Sequence, residues 1–343
     1  MGAVIPVVIV AGFLGSGKTT LLNYLLRNNR GTRIGVVVND FGAVNIDAML
    51  VAGQVDAMVS LGNGCVCCAV DVSELDDLFA QLAQPRSAVD VIVVEASGLA
   101  EPRNLIRMVI ANPNPRIAYG GLVEVVDAEQ FAATSAQHPE LVTHLRMADL
   151  VLVNKADRVG AEALAGLRAQ VADWVGQVPV YATTHGRIDP GLLFDDRVPD
   201  QPKVAEQLSF DTLLHEHDHD DPDHRHLHDD YVSVSFTSER ALNPRALVGF
   251  LEDPPPGLFR AKGCVTFAVA GERRKFEVHL VGRHVVFTPG SWARGEQRVS
   301  NLVLIGAGLD ADGALKRLHD TVFDGETLLD EQEMLGVWRY TVQ

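Results

Sequence analysis

No stretch of this 343-residue chain approaches the ~18 consecutive apolar residues of a membrane-spanning helix, so no transmembrane segment is expected. Basic residues are also scarce. There are 29 Lys and Arg against 45 Asp and Glu, for a net charge of -16. A general nucleic-acid binder needs a basic footprint, and this chain has none. Cysteine is too sparse for a disulfide framework, with only 4 in the chain. Three of them stand close together at Cys65, Cys67 and Cys68, a cluster that in a reducing compartment reads as metal-binding or redox-active. Met1 runs almost directly into the first apolar segment, so no signal peptide and a cytoplasmic location are expected. What is present is ordinary globular material, 47% hydrophobic and 22% charged. The length suits two domains of ~150 residues each.

The segment Val7–Val10 is β-branched or apolar throughout, as in a buried parallel strand. It leads into Gly12-Phe13-Leu14-Gly15-Ser16-Gly17-Lys18-Thr19-Thr20 and then an amphipathic run with Leu21, Leu22, Leu25 and Leu26. This is G-x-x-x-x-G-K-[ST] between a strand and a helix, the setting the motif requires. Its glycines let backbone N–H groups face phosphate oxygens, and the helix N-terminus adds a positive dipole end. Lys18 is expected to reach the β- and γ-phosphates and Thr19 to ligate Mg²⁺.

Further apolar runs predict strands over 33–38, 55–61, 89–94, 121–126, 149–153 and 178–183, with a helix over 72–82. Asp40 and Asp47 follow the second strand and could serve Mg²⁺ or metal chemistry, or simply be solvated loop residues. Glu95 ends the 89–94 run, with Gly98 three positions on. An acid there can face Mg²⁺, and the glycine amide can meet a γ-phosphate. Asn154-Lys155-Ala156-Asp157 closes the 149–153 strand, about 135 residues after the P-loop, and reads as a guanine signature. A carboxylate at Asp157 accepts from guanine N1–H and N2–H₂, Asn154 holds the neighbouring loop, and the Lys155 stem packs on the base. GTP is therefore expected over ATP. Ala182, Thr183 and Thr184 could meet the base edge through backbone groups. Alternating strands and helices imply a doubly wound, mostly parallel α/β sheet with these loops along its carboxyl edge.

The pattern breaks after Phe194. Residues 215–230 hold six of the 12 histidines, His215, His217, His219, His224, His226 and His228, interleaved with carboxylates and almost without apolar residues. Such a segment is expected to be a mobile arm and a weak ligand for Zn²⁺, Ni²⁺ or Co²⁺, or else a merely soluble linker. Strict alternation over 231–237 predicts a half-buried strand. A helix over 243–251, strands near 259–267, 276–280, 285–287 and 301–305, and a helix over 314–323 complete a smaller α+β unit. Cys264 reads as a small buried hydrophobe. The expected division is 1–200 for the nucleotide-binding domain, 201–230 for the His-rich linker and 231–343 for the C-terminal domain.

Taken together, the P-loop, Gly64-Cys65-Val66-Cys67-Cys68, Glu95-x-x-Gly98 and Asn154-Lys155-Ala156-Asp157 resemble the CobW-like metallochaperone GTPases of the zinc-chaperone type. These are relatives of the hydrogenase and urease nickel-insertion GTPases. The likeness extends through the His-rich linker to Arg260-Ala261-Lys262-Gly263. It implies a C-x-C-C site for Zn²⁺ or a related ion, with GTP hydrolysis driving metal delivery to a client apo-metalloprotein. Lys18, Asp40 and Glu95 are then the catalytic candidates, turnover is slow without a partner, and a nucleotide-dependent homodimer is a further expectation. The chain departs from the family at Asn39-Asp40-Phe41-Gly42-Ala43, which lacks the second acid of the usual Asn-Glu-Phe-Gly-Glu, so the fourth ligand beside the cysteines is not assigned. Glu95-Ala96-Ser97-Gly98 stands for the commoner Glu-Thr-Thr-Gly. From the residues themselves, three thiols can share one soft ion, form a redox pair or be structural. Rival functions are cobalt handling for cobalamin or nitrile hydratase assembly, a nucleotide-gated metal store or sensor, and a redox-switched GTPase.

Overall fold

The computed structural model describes residues 4–38, 57–60, 72–84, 89–98, 101–194, 231–325 and 327–341. Two sheets organise them. The first has seven strands: β1 (Ile5–Ala11), β2 (Ile34–Val38), β3 (Ala57–Ser60), β4 (Val91–Glu95), β5 (Ile117–Asp127), β6 (Leu150–Asn154) and β7 (Val180–Ala182). Their order is β3-β2-β4-β1-β5-β6-β7, and every pairing is parallel. Both faces are buried. Ile5, Val7 and Ile9 pack into one apolar layer with Phe79, Leu105 and Leu145, while Val8 and Val10 pack into another with Leu21, Leu22 and Leu25. A strand covered on both faces loses the polar alternation of a half-exposed one, which is why β1 reads as a continuous apolar run.

The helices on these faces are α1 (Lys18–Arg27), α2 (Val72–Leu82), α3 (Pro102–Ile110), α4 (Phe131–Gln137), α5 (Glu140–Met147), α6 (Ala161–Val175) and α7 (Pro190–Leu193). Among the described residues, no helix is long and apolar enough to cross a membrane.

β5 is longer than the 121–126 run predicts. Gly120-Gly121 looks like a strand terminus, but the chain passes through it on a register shift: Val7 pairs with Tyr119, while Ile9 pairs with Leu122. Gly121 takes φ 112 there, and a side chain would press on Val281 and Phe259 of the second unit. The glycines mark a bulge and a close approach rather than an end.

The second unit is an antiparallel sheet of order β11-β10-β9-β12-β8. Its strands are β8 (Tyr231–Ser238), β9 (Leu258–Val265), β10 (Lys275–Val281), β11 (His284–Gly290) and β12 (Ser300–Ala307). α8 (Pro244–Glu252), α9 (Ala311–His319) and α10 (Leu335–Arg339) belong to the same unit, and residues of all three join its core. α9 begins three residues before the predicted 314, because the Asp310 carboxylate accepts from Gly313 N and sets the start. It ends at His319, short of the predicted 323. The chain then turns to pair Phe323 N with Ala241 O. Cys264 is half-buried rather than buried, and burial pushes its thiol up.

The two units meet at the amino edge of the parallel sheet. Asp149, just before β6, accepts from Tyr119 Oη at 2.5 Å and Leu122 N at 2.9 Å. Burial raises its carboxyl to about 6, against those hydrogen bonds. The turn between β10 and β11 lies on it. Gly282 has φ 54, and any side chain there would run into the Asp149 carboxylate. His284 packs edge-on against Tyr119, with ring centroids 5.5 Å apart. Gly282→Ala combines left-handed strain with this collision, so it should destabilise the chain by about 1–3 kcal/mol. Urea unfolding checks this, and an unchanged midpoint would mean that the turn does not dock on Asp149.

Candidate functional site

The loops singled out by motif all leave the carboxyl ends of strands of the parallel sheet. The P-loop follows β1, Glu95 ends β4, Asn154 ends β6 and Thr183 follows β7. Gly12, Gly15 and Gly17 have φ of 143, 74 and 105. That left-handed backbone is open to glycine, and such conformations are the ones that let loop N–H groups line an anion-binding concavity. Lys18 is 8% exposed, and its Nζ donates to Gly12 O at 2.9 Å and Phe13 O at 3.2 Å. Ser16 Oγ is buried without a hydrogen-bond partner, and Thr20 is exposed on the first turn of α1. Thr19 Oγ1 donates to Glu95 Oε1 at 2.7 Å, so two oxygens of the kind a hard cation takes stand together beside the loop. Gly98 approaches Leu14 so closely that a Cβ would lie 2.8 Å from Leu14 N, which brings the segment after β4 against the P-loop.

Asn154 joins the two halves of the edge. It is 1% exposed. Its Nδ2 donates to Ser16 O at 2.9 Å, and its Oδ1 accepts from Gly186 N at 3.0 Å. One side chain thus ties the P-loop to the loop after β7. Lys155, at φ 60, pairs with Asp127 at 2.6 Å. Asp157 is exposed on a 3-10 turn, Ala156–Arg158. Thr183 N is held by Val153 O and Ala156 N by Thr183 O, which sets the loop after β7 beside this turn. The structure therefore brings together Gly12, Gly15, Ser16, Gly17, Lys18, Thr19, Glu95, Gly98, Asn154, Lys155 and Asp157. Asp40, Asp47, Cys65, Cys67, Cys68 and His215, His217, His219, His224, His226 and His228 lie outside the described residues. Among the described residues, no group of three or more His, Cys, Asp or Glu is placed to hold a metal ion.

Two acids at this edge carried no role in the sequence reading. Asp127 directly follows the predicted 121–126 strand and carries no motif of its own. Glu124 sits in register with Ala11, one residue before the P-loop glycine, and is 3% exposed with Oε2 unpartnered. Burial pushes its carboxyl up to about 8, with the Lys18 ammonium pulling the other way. An acid in the middle of an apolar strand was the available signal. The folded chain holds this proton to about pH 8, while the unfolded chain releases it near 4.5. The stability due to the neutral form is complete below 4.5 and is lost as pH rises through 8. Glu124→Gln, which stays neutral, should exceed the wild type by about 1–3 kcal/mol at pH 8, the gap closing toward pH 5. Denaturation across this range checks it, and a gap independent of pH would contradict it.

A profile of the CobW/HypB/UreG nucleotide-binding domain matches residues 6–182, and one of the cobalamin synthesis protein cobW C-terminal domain matches residues 231–322. Zinc chaperone CobW of Pseudomonas aeruginosa is 33% identical over 358 residues, spanning 92% of this chain and 91% of that protein. Zinc chaperone CobW of a Sinorhizobium species is 29% identical over 348 residues, spanning 88% of this chain and 92% of that protein. The crystal structure of Zn(II)-bound YjiA GTPase from E. coli aligns with 94% of this chain and 100% of that one, at 23% identity and a TM-score of 0.44. With a nucleotide-binding domain ahead of a C-terminal domain, both matched by the family's own profiles, the chain belongs to the CobW family.

Proposed function

We propose that this chain is a GTP-hydrolysing metallochaperone that carries Zn²⁺, or a related divalent ion, to a client apo-metalloprotein under nucleotide control. GTPase activity follows from membership of the family. The observation that carries the nucleotide half is the Asn154 bridge, which builds one continuous edge from the P-loop to the Lys155 and Asp157 turn. On this edge Asp157 accepts from guanine, and Lys18 leaves the carbonyls of Gly12 and Phe13 for the β- and γ-phosphates. Thr19 and Glu95, already joined through their oxygens, fit Mg²⁺, with Glu95 bound directly or through water. When bound, that ion neutralises charge on the β- and γ-phosphate oxygens. The Gly98 N–H is proposed to meet the γ-phosphate, and Asp40, which follows β2 in sequence, to take part in the same chemistry.

The metal half rests on Cys65, Cys67 and Cys68, whose thiolates suit Zn²⁺, and on relatives named zinc chaperones. The histidines of 215–228 are proposed as a lower-affinity collecting arm. The cysteines fall in sequence between the segments after β2 and β4, both of which reach the γ-phosphate in this reading. Ordering and release of such segments gives the thiolate site two geometries. Zn²⁺ affinity should then differ at least about fivefold between GDP and a non-hydrolysable GTP analogue, with the same factor appearing in nucleotide affinity. Cys67→Ala should abolish the difference while leaving GTP bound. A competition titration with a chromophoric chelator measures both, and equal Zn²⁺ affinity in the two nucleotide states would contradict the proposal.

A further inference from the structure

Lys155 does not hang free at the nucleotide edge. Its Nζ donates to Asp127 Oδ2 at 2.6 Å, and the Asp127 side chain is only 10% exposed. The other carboxylate oxygen, Oδ1, accepts from Glu129 N at 2.9 Å and Gln130 N at 3.3 Å, so the carboxylate is fixed at both ends. The backbones are tied as well. Asp127 stands in register with Asn154, and Ala128 N donates to Asn154 O at 2.9 Å. Lys155 takes a left-handed backbone at φ 60, uncommon for a residue with a side chain. A lysine has a long flexible stem that loses much rotamer freedom when it is ordered. Here the contact with Asp127 holds the ammonium, and with it the stem, in one place.

We propose that Asp127 is a positioning residue for guanine recognition: it pins the Lys155 ammonium so that the aliphatic stem lies as a fixed platform for the base. This rests on the reading of the edge as a guanine-nucleotide site. It adds a specificity determinant outside the Asn154–Asp157 motif, on the neighbouring strand. Asp127 acts through Lys155 and does not touch the nucleotide.

The test uses the full chain with Mg²⁺ and three readouts: GTP hydrolysis, GDP titration, and inhibition by inorganic tripolyphosphate, which has phosphates but no base. Asp127→Asn keeps an acceptor for Glu129 N and Gln130 N and removes the ion pair. It should raise KM for GTP by about 5–20-fold, with kcat within about twofold, and leave inhibition by tripolyphosphate unchanged. Lys155→Met keeps an apolar stem without the ammonium and should show the same rise, with no further loss in the double variant. Should Asp127→Asn fail to fold, Lys155→Met still decides, because a free stem that binds GTP as tightly as wild type overturns the proposal. An unchanged KM in Asp127→Asn overturns it too, as do multiplying effects in the double variant or a parallel weakening of tripolyphosphate. Lys155→Ala separates the two readings: if it leaves GTP and GDP affinity intact, the guanine site itself is wrong and the positioning role falls with it. If it weakens both while Asp127→Asn does not, only the positioning role falls.

Discussion

Two hydrogen bonds from one buried amide hold the working edge of this protein together. Asn154 donates to the P-loop at Ser16 and accepts from Gly186, and it is shielded from water while doing so. A buried amide that loses a partner leaves its counterpart unsatisfied, at a cost of about 1–3 kcal/mol each. The phosphate loop and the base loop therefore share one support. Their spacing is set by the parallel sheet, since β1 and β6 flank β5 and all three run the same way.

Around that bridge the edge is polar in a selective way. Thr19 meets Glu95, Lys155 meets Asp127, and Lys18 rests on two carbonyls. Each contact holds a side chain near where a nucleotide group would use it, so less ordering remains when a ligand binds. Glu124 is the exception. It places an acid in an apolar layer behind the P-loop, and burial keeps it protonated toward neutral pH. The opposite edge of the sheet holds the second unit, through Asp149, Tyr119 and the Gly282 turn. Docking and nucleotide chemistry thus occupy different ends of the same strands.

Most of this edge was legible in the amino-acid sequence, because phosphate and guanine chemistry demand particular residue types at fixed offsets from a strand. Gly12 to Thr19 and Asn154 to Asp157 carry that demand openly. Asp127 did not, since its role appears only when β5 and β6 lie side by side with Asp127 opposite Asn154. The Gly120-Gly121 pair misled in the same way. The predicted run began at Gly121, and only the approach of Val281 and Phe259 from a distant segment shows why the strand extends back through the pair. The short helix Leu335–Arg339 was missed because five residues are too few for periodicity to register. The expectations about Cys65, Cys67, Cys68 and the histidine arm fall on residues outside those described, and they stand as proposals.

The central claim is that the carboxyl edge selects guanine. The most direct measurement is calorimetric titration of the Mg²⁺-loaded full chain with GDP and with ADP. The account predicts that GDP binds at least about 100-fold more tightly, because adenine cannot donate the pair of hydrogens that Asp157 accepts, and that Asp157→Asn removes most of this preference. Equal affinity for the two nucleotides in the wild type would contradict it.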